Sequence, residues 1–332
     1  MLKKPFTLKE VKTLGVFVGE DLLGDGILKY PFILQLYRTF PHSKITWISG
    51  HNKTIFSSLL FPLVKDTLHQ IIDNQKIGYS WKELLKPVLR EKFDLLINTH
   101  QSLKTTLILK KLPHTYFVDP TGHFIFSHFK PSENFSHISK RLLALIPSTE
   151  THETFSQQEN LPITPLMKRE IEKFFDLQTI HIGFAPGAGQ QKKMWPLDRF
   201  IEVARAQEKK GRKVLFILSP AEHSWLGHLK KSVPTALFPL QESPEFLKNP
   251  FYTVAIAKHC DCLIANDSGT GHLLGLAQRP LISLFGPTAS DKVRPYTPHG
   301  IVIDAKFFGG GSSIDLIPKS SVIEAIESCL KN

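Results

Sequence analysis

The sequence predicts an α/β chain of two Rossmann-like, doubly wound domains facing a cleft. Three observations carry that expectation. Short apolar, β-branched runs alternate with helix-compatible segments, the alternation occurs twice, and 332 residues at 42% hydrophobic and 21% charged suffice for two cores of ordinary size. The same composition excludes a disordered chain, a collagen and a disulfide-stapled miniprotein.

Leu14-Gly-Val-Phe-Val18 reads as a buried strand, and residues 27–40 follow with apolar side chains at helical spacing before a Pro41-His-Ser43 turn. Ile45-Thr-Trp-Ile48 is the next strand. Phe93-Asp-Leu-Leu-Ile97 and Thr115-Tyr-Phe-Val118 supply two more, separated by a helical stretch at 102–112. Residues 126–177 are rich in Ser, Thr, His and Pro and read as helices and connections, so the boundary falls within 155–178, giving domains 1–165 and 166–332. A second series then runs through a strand at 181–185, a helix at 197–210 and strands at 213–218, 262–265 and 281–285. Residues 321–330 read as an amphipathic helix that packs on a domain.

Lys and Arg outnumber Asp and Glu by 41 to 30, and the excess of +11 divides as +7 over residues 1–175 and +4 over 176–332. A mild, spread excess suits anionic ligands or an anionic membrane face. Nucleic acid is not expected, because no helix-turn-helix, zinc-finger or aromatic RNA-binding motif is present. Cys260, Cys262 and Cys329 make no Cys-x-x-Cys knuckle and suggest a reducing, cytoplasmic environment. No run reaches the roughly 20 apolar residues that cross a bilayer, and the basic opening, residues 1–10, has no secretory core behind it.

Three loops, each after a strand, carry candidate chemistry. Ala265-Asn-Asp-Ser-Gly-Thr-Gly-His272 lets a backbone approach a ligand through its small residues and offers a following helix's amides and dipole to a phosphate. Ser268 and Thr270 add hydroxyls, and Asp267 can accept from a sugar; the plainer reading is a capped helix with Asp267 or Ser268 as N-cap. In Ala185-Pro-Gly-Ala-Gly-Gln-Gln-Lys-Lys-Met-Trp-Pro196, Gly187 and Gly189 can admit a diphosphate and Lys193 can set a cation on it, with Trp195 a packing anchor. The loop matches neither a P-loop nor Gly-x-Gly-x-x-Gly. Gly19-Glu-Asp-Leu-Leu-Gly-Asp-Gly26 puts Glu20, Asp21 and Asp25 at a strand's end, where one can act as a general base; helix capping is the plainer role of Asp25.

Taken in order, these loops resemble the family-9 glycosyltransferases, the lipopolysaccharide heptosyltransferases. The resemblance rests on Leu23-Gly-Asp25, Phe40-Pro41, Pro186-Gly-Ala188 with Lys193-Met-Trp-Pro196, and Asn266-Asp-Ser-Gly269 with His272 and Phe285-Gly-Pro-Thr288. It covers most of residues 14–290. The chain departs from the family in the acceptor half, with Val18-Gly-Glu-Asp21 before Leu-Gly-Asp and Asn98-Thr-His-Gln101 where an Asp-x-x-Gly is usual.

The resemblance implies a GT-B fold, an acceptor-binding N-terminal domain, a nucleotide-sugar-binding C-terminal domain, and a last helix returning to the first domain. It implies inverting transfer without a metal or other cofactor, from a nucleotide-diphosphate sugar, ADP-L-glycero-D-manno-heptose foremost, to a lipopolysaccharide inner-core acceptor. Asp25 is then the base, and Gly187, Lys193, Ser268, Gly269 and Thr270 meet the diphosphate. Asp267 and His272 orient the sugar, and Glu222 meets the ribose. The expected location is cytoplasmic, peripheral to the anionic inner membrane. Another nucleotide sugar as donor, an epimerase of similar layout and a binding scaffold without turnover stay open as alternatives.

Overall fold

In Thr13–Gly19 (β1) every side chain but the first is buried, as in a parallel sheet covered on both faces. The computed structural model describes residues 11–85, 89–147, 161–176 and 178–331; the basic opening, 1–10, lies outside them. The chain divides into two units, Met1–Phe155 and Ser156–Asn332.

The first unit continues through α1 (Leu23–Thr39), β2 (Lys44–Ser49), α2 (Phe61–Val64), β3 (Gln70–Ile72), β4 (Phe93–Asn98), α3 (Leu103–Leu109), β5 (His114–Val118) and α4 (Ile138–Leu143). Helix α1 starts at Leu23, four residues before the apolar spacing suggests, because Asp25 falls in its first turn and accepts from the Leu22 amide at 3.3 Å. Its strands order β3-β2-β1-β4-β5, all parallel.

The second unit comprises α5 (Pro165–Glu172), β6 (His181–Ala185), α6 (Leu197–Glu208), β7 (Lys213–Phe216), α7 (Leu226–Ser232), α8 (Pro239–Glu242), α9 (Pro250–Lys258), β8 (Cys262–Asn266), α10 (Gly269–Gly275), β9 (Leu281–Phe285), α11 (Ser290–Val293), β10 (Gly300–Asp304) and α12 (Lys319–Lys331). Its parallel sheet orders β10-β9-β8-β6-β7. Helix α5 packs on α9, and α12 sends Val322 and Ile326 into the core beside Phe200 and Ile282.

Each unit's first strand has glycine at its third residue. A Cβ on Gly15 would stand 2.9 Å from Phe93, and one on Gly183 2.8 Å from Leu263, so a neighbouring strand's large side chain fills each place. In both sheets the order reverses beside that strand, between β1 and β4 and between β6 and β8. Doubly wound sheets bind ligands outside the strand ends at such a reversal.

Candidate functional site

In the second unit the loops after β6 and β8 flank the reversal, and Asn266, the last residue of β8, ties them together. Its amide nitrogen donates to the Pro186 carbonyl at 2.6 Å and its amide oxygen accepts from the Trp195 backbone at 3.1 Å, so one buried side chain clamps both ends of the 186–195 loop. Trp195 is buried as an anchor, its indole donating to the Ile317 carbonyl at 3.0 Å. Held this way, Lys193 places Nζ 2.7 Å from Asp267 Oδ2, with Asp267 buried and the lysine side chain one quarter exposed at 25%.

Ser268 is the N-cap of α10, its Oγ accepting from the Gly271 amide at 3.0 Å; Asp267 is not the cap. The helix starts at Gly269, so Gly269 and Thr270 stand in its first turn and His272 is a buried helical residue. Gly271 is obligatory, since a Cβ would approach the Asn266 carbonyl to 2.7 Å. Glu222 is buried and caps its own turn, Oε2 accepting from the Ser219 amide at 2.8 Å and from the Ser219 hydroxyl. A Cβ on Gly187 would lie 2.3 Å from Glu222 Oε1, so the carboxylate rests directly on that glycine. The structure thus pairs Gly187 with Glu222 and Lys193 with Asp267, and strings Ser268, Gly269, Thr270 and His272 along α10. A cavity of about 550 Å³ opens beside the same loop, walled by Pro186, Lys192, Trp195, Trp225, Pro287 and Ser313.

In the first unit the three carboxylates after β1 part company. Asp21 is fully buried in an ion pair with Lys29 and accepts from Trp47 Nε1 at 3.1 Å and Thr54 Oγ1 at 2.8 Å, so it is structural. Asp25, half-buried, sits at the start of α1. Glu20 is exposed, and its Oε1 accepts from Asn52 Nδ2 and the Tyr79 hydroxyl, both at 2.7 Å. Across the reversal, after β4, His100 donates from Nε2 to the Val18 carbonyl at 2.8 Å and covers Gly19, whose φ of +67° needs glycine. Burial, with Lys29 second, holds the His100 imidazole below its usual pKa and keeps it neutral.

Asn52, Tyr79, His100 and the clamp role of Asn266 carry no local signature in the sequence, because each acts across 32 to 82 residues. Among the described residues no group of three or more His, Cys, Asp or Glu side chains could hold a metal ion, and no helix is long and apolar enough to cross a membrane.

The chain is 22% identical over 307 residues to lipooligosaccharide heptosyltransferase 2 of Haemophilus influenzae, covering 87% of each. It is 24% identical to lipopolysaccharide heptosyltransferase 3 of Escherichia coli K12, over 92% of this chain and 95% of that one. A crystal structure of a family 9 glycosyl transferase from Veillonella parvula superposes with a TM-score of 0.69 at 22% identity, covering 96% and 97%. That of E. coli ADP-heptose lps heptosyltransferase II superposes at 0.62 and 19% identity, covering 96% and 98%. These likenesses carry the GT-B fold. The model of glycosyltransferase family 9 (heptosyltransferase) matches residues 81–307. That span is well over half of the chain and takes in both loops that Asn266 joins, and so the protein belongs to glycosyltransferase family 9 and is a glycosyltransferase.

Proposed function

We propose that this glycosyltransferase moves L-glycero-D-manno-heptose from ADP-heptose to a lipopolysaccharide inner-core acceptor, inverting the anomeric centre. The observation that carries the reading is the Lys193–Asp267 pair at the sheet reversal of the second unit, beside the first turn of α10. The relatives named heptosyltransferases support the donor and acceptor classes. In this reading the acceptor hydroxyl gives its proton to Asp25 as its oxygen attacks the anomeric carbon, and the bond to the diphosphate breaks on the opposite side. Lys193, with Gly187, Ser268, Gly269 and Thr270, meets the charge that gathers on the departing ADP, which is the electrostatic task a metal performs elsewhere. Asp267 and His272 orient the sugar, and Glu222 meets the ribose.

The division of labour follows: the first unit takes the acceptor and the second the nucleotide sugar. The enzyme works at the cytoplasmic face of the inner membrane, where its positive charge meets anionic lipid. A thermal-shift series with ADP, UDP, GDP and CMP, and with ADP-heptose beside UDP-glucose, tests the donor, because a ligand that binds only the folded state raises its stability. Selective stabilisation by adenine ligands is expected. Selective stabilisation by uridine ligands would discard heptose as donor, and no shift with any nucleotide would favour a scaffold without turnover. Turnover undiminished by a chelator is expected of the metal-independent step.

A further inference from the structure

The carboxylate that the chemistry above does not use is Glu20. It stands at the C-terminal end of β1, beside the reversal between β1 and β4 where a doubly wound sheet receives its ligand. One of its oxygens is fixed from two sides, by Asn52 after β2 and by Tyr79 after β3. The other accepts no hydrogen bond among the described residues and faces solvent. Tyr79 is itself held: its ring packs against His51 at 3.8 Å between centroids with the planes inclined at 49°, and its carbonyl accepts from Lys104 Nζ at 2.7 Å. Yet 63% of Tyr79 is exposed, which leaves its aromatic ring open to a ligand. Hydrogen bonding to Glu20 raises the Tyr79 pKa, so the phenol stays protonated and keeps donating. A fixed carboxylate oxygen, an amide and an open aromatic face are the parts from which a neutral sugar ring is held: the ring stacks its C–H face and gives a hydroxyl to the carboxylate.

We propose that Glu20, positioned by Asn52 and Tyr79, binds a hydroxyl of the acceptor sugar, whose ring lies on Tyr79. This rests on the reading that the first unit takes the acceptor. Glu20 is a binding residue for the ring and Asp25 remains the base. Exchange of Glu20 for Gln keeps an oxygen for Asn52 and Tyr79 but turns the outward atom from acceptor to donor.

The test is a titration of the full chain with methyl α-D-mannopyranoside, followed by saturation-transfer NMR, on wild type, Glu20→Gln and Tyr79→Ala. The neutral glycoside is expected to bind wild type, to lose about tenfold or more in Glu20→Gln, and to lose binding in Tyr79→Ala, with ADP affinity unchanged in both variants. No binding of the glycoside to wild type, or binding that neither variant weakens, would overturn the proposal. In transfer assays the expected Glu20→Gln effect lies in the acceptor KM with the pH profile of kcat unmoved; a displaced profile would make Glu20 a base and overturn its binding role. Because glycoside binding needs no donor, a chain that binds the neutral sugar through Glu20 but does not use ADP-heptose keeps this proposal and refutes only the donor assignment.

Discussion

Asp21 and Asp25 stand four positions apart in opposite surroundings, one buried and paired, the other half-buried and nearly unbonded. Asp21 is buried against the Lys29 ammonium, and removing its charge leaves that ammonium paired with nothing but the Val18 carbonyl at 3.2 Å. Asp21→Asn is therefore expected to cost about 3 kcal/mol of stability, read as a lower denaturant midpoint. Asp25 makes a single long bond to the Leu22 amide, so Asp25→Asn is expected to leave the midpoint nearly unmoved while kcat falls by about 10² to 10⁴. A variant that keeps its turnover would remove Asp25 from the chemistry. At Gly187 the question is steric: Gly187→Ala drives a methyl into the Glu222 carboxylate, 2.3 to 3.0 Å away. The expected result is weaker ADP binding in calorimetry together with a loss of about 1 kcal/mol of stability, since Glu222 can yield only by giving up its capping bonds to Ser219.

At the scale of elements, the most legible parts of the sequence are the central strands and the loops that follow them. Those strands are buried on both faces and read as unbroken apolar runs, and the loops advertise themselves by small residues where backbone must come close, as Gly271 does against Asn266. Strands β3 and β10 carry no comparable signal. Each is an edge strand with one pairing neighbour, three and five residues long, and its exposed or half-buried positions dilute the apolar run. The clamp of α12 was equally invisible, because Glu327 meets its partners 115 and 117 residues away: Arg212 in a two-pronged contact at 2.6 and 2.8 Å, and Lys210 at 2.8 Å. Those hydrogen bonds, Arg212 first, pull the Glu327 carboxyl down from 4.5 to about 2. A depressed carboxylate contributes stability that is complete above its unfolded pKa and is lost as the pH falls toward the folded one. The side chain is 30% exposed, so solvent screening limits the contribution to about 1 kcal/mol or less. Glu327→Gln should be less stable than wild type by that amount at pH 7, the gap closing between about pH 4.5 and pH 2; a gap constant with pH would show that the contact acts through shape and not charge.

At the scale of the whole molecule, the twofold alternation of strand and helix predicts two doubly wound units but not their strand orders, which differ: β3-β2-β1-β4-β5 in one and β10-β9-β8-β6-β7 in the other. Order is decided by which face each crossover helix covers and where the next strand finds an unpaired edge, and neither is written in local periodicity. Net charge, by contrast, is a property of the sequence as a whole and leads to a test of where the enzyme works. The chain carries +11, the larger share in residues 1–175, and no helix among the described residues can enter the hydrocarbon as a span. In the proposed reading the attachment to an anionic bilayer is electrostatic, at about 1 kcal/mol for each basic residue near the surface. Sedimentation with vesicles containing anionic phospholipid is expected at low ionic strength and is expected to vanish near 0.5 M salt, where the screening length falls to roughly 4 Å. Vesicles of neutral lipid should bring down nothing at either salt. Binding that survives high salt, or that ignores lipid charge, would point to apolar insertion and remove charge as the anchor, whereas no binding to anionic vesicles at low salt would place the enzyme in bulk solvent and require its acceptor to come to it.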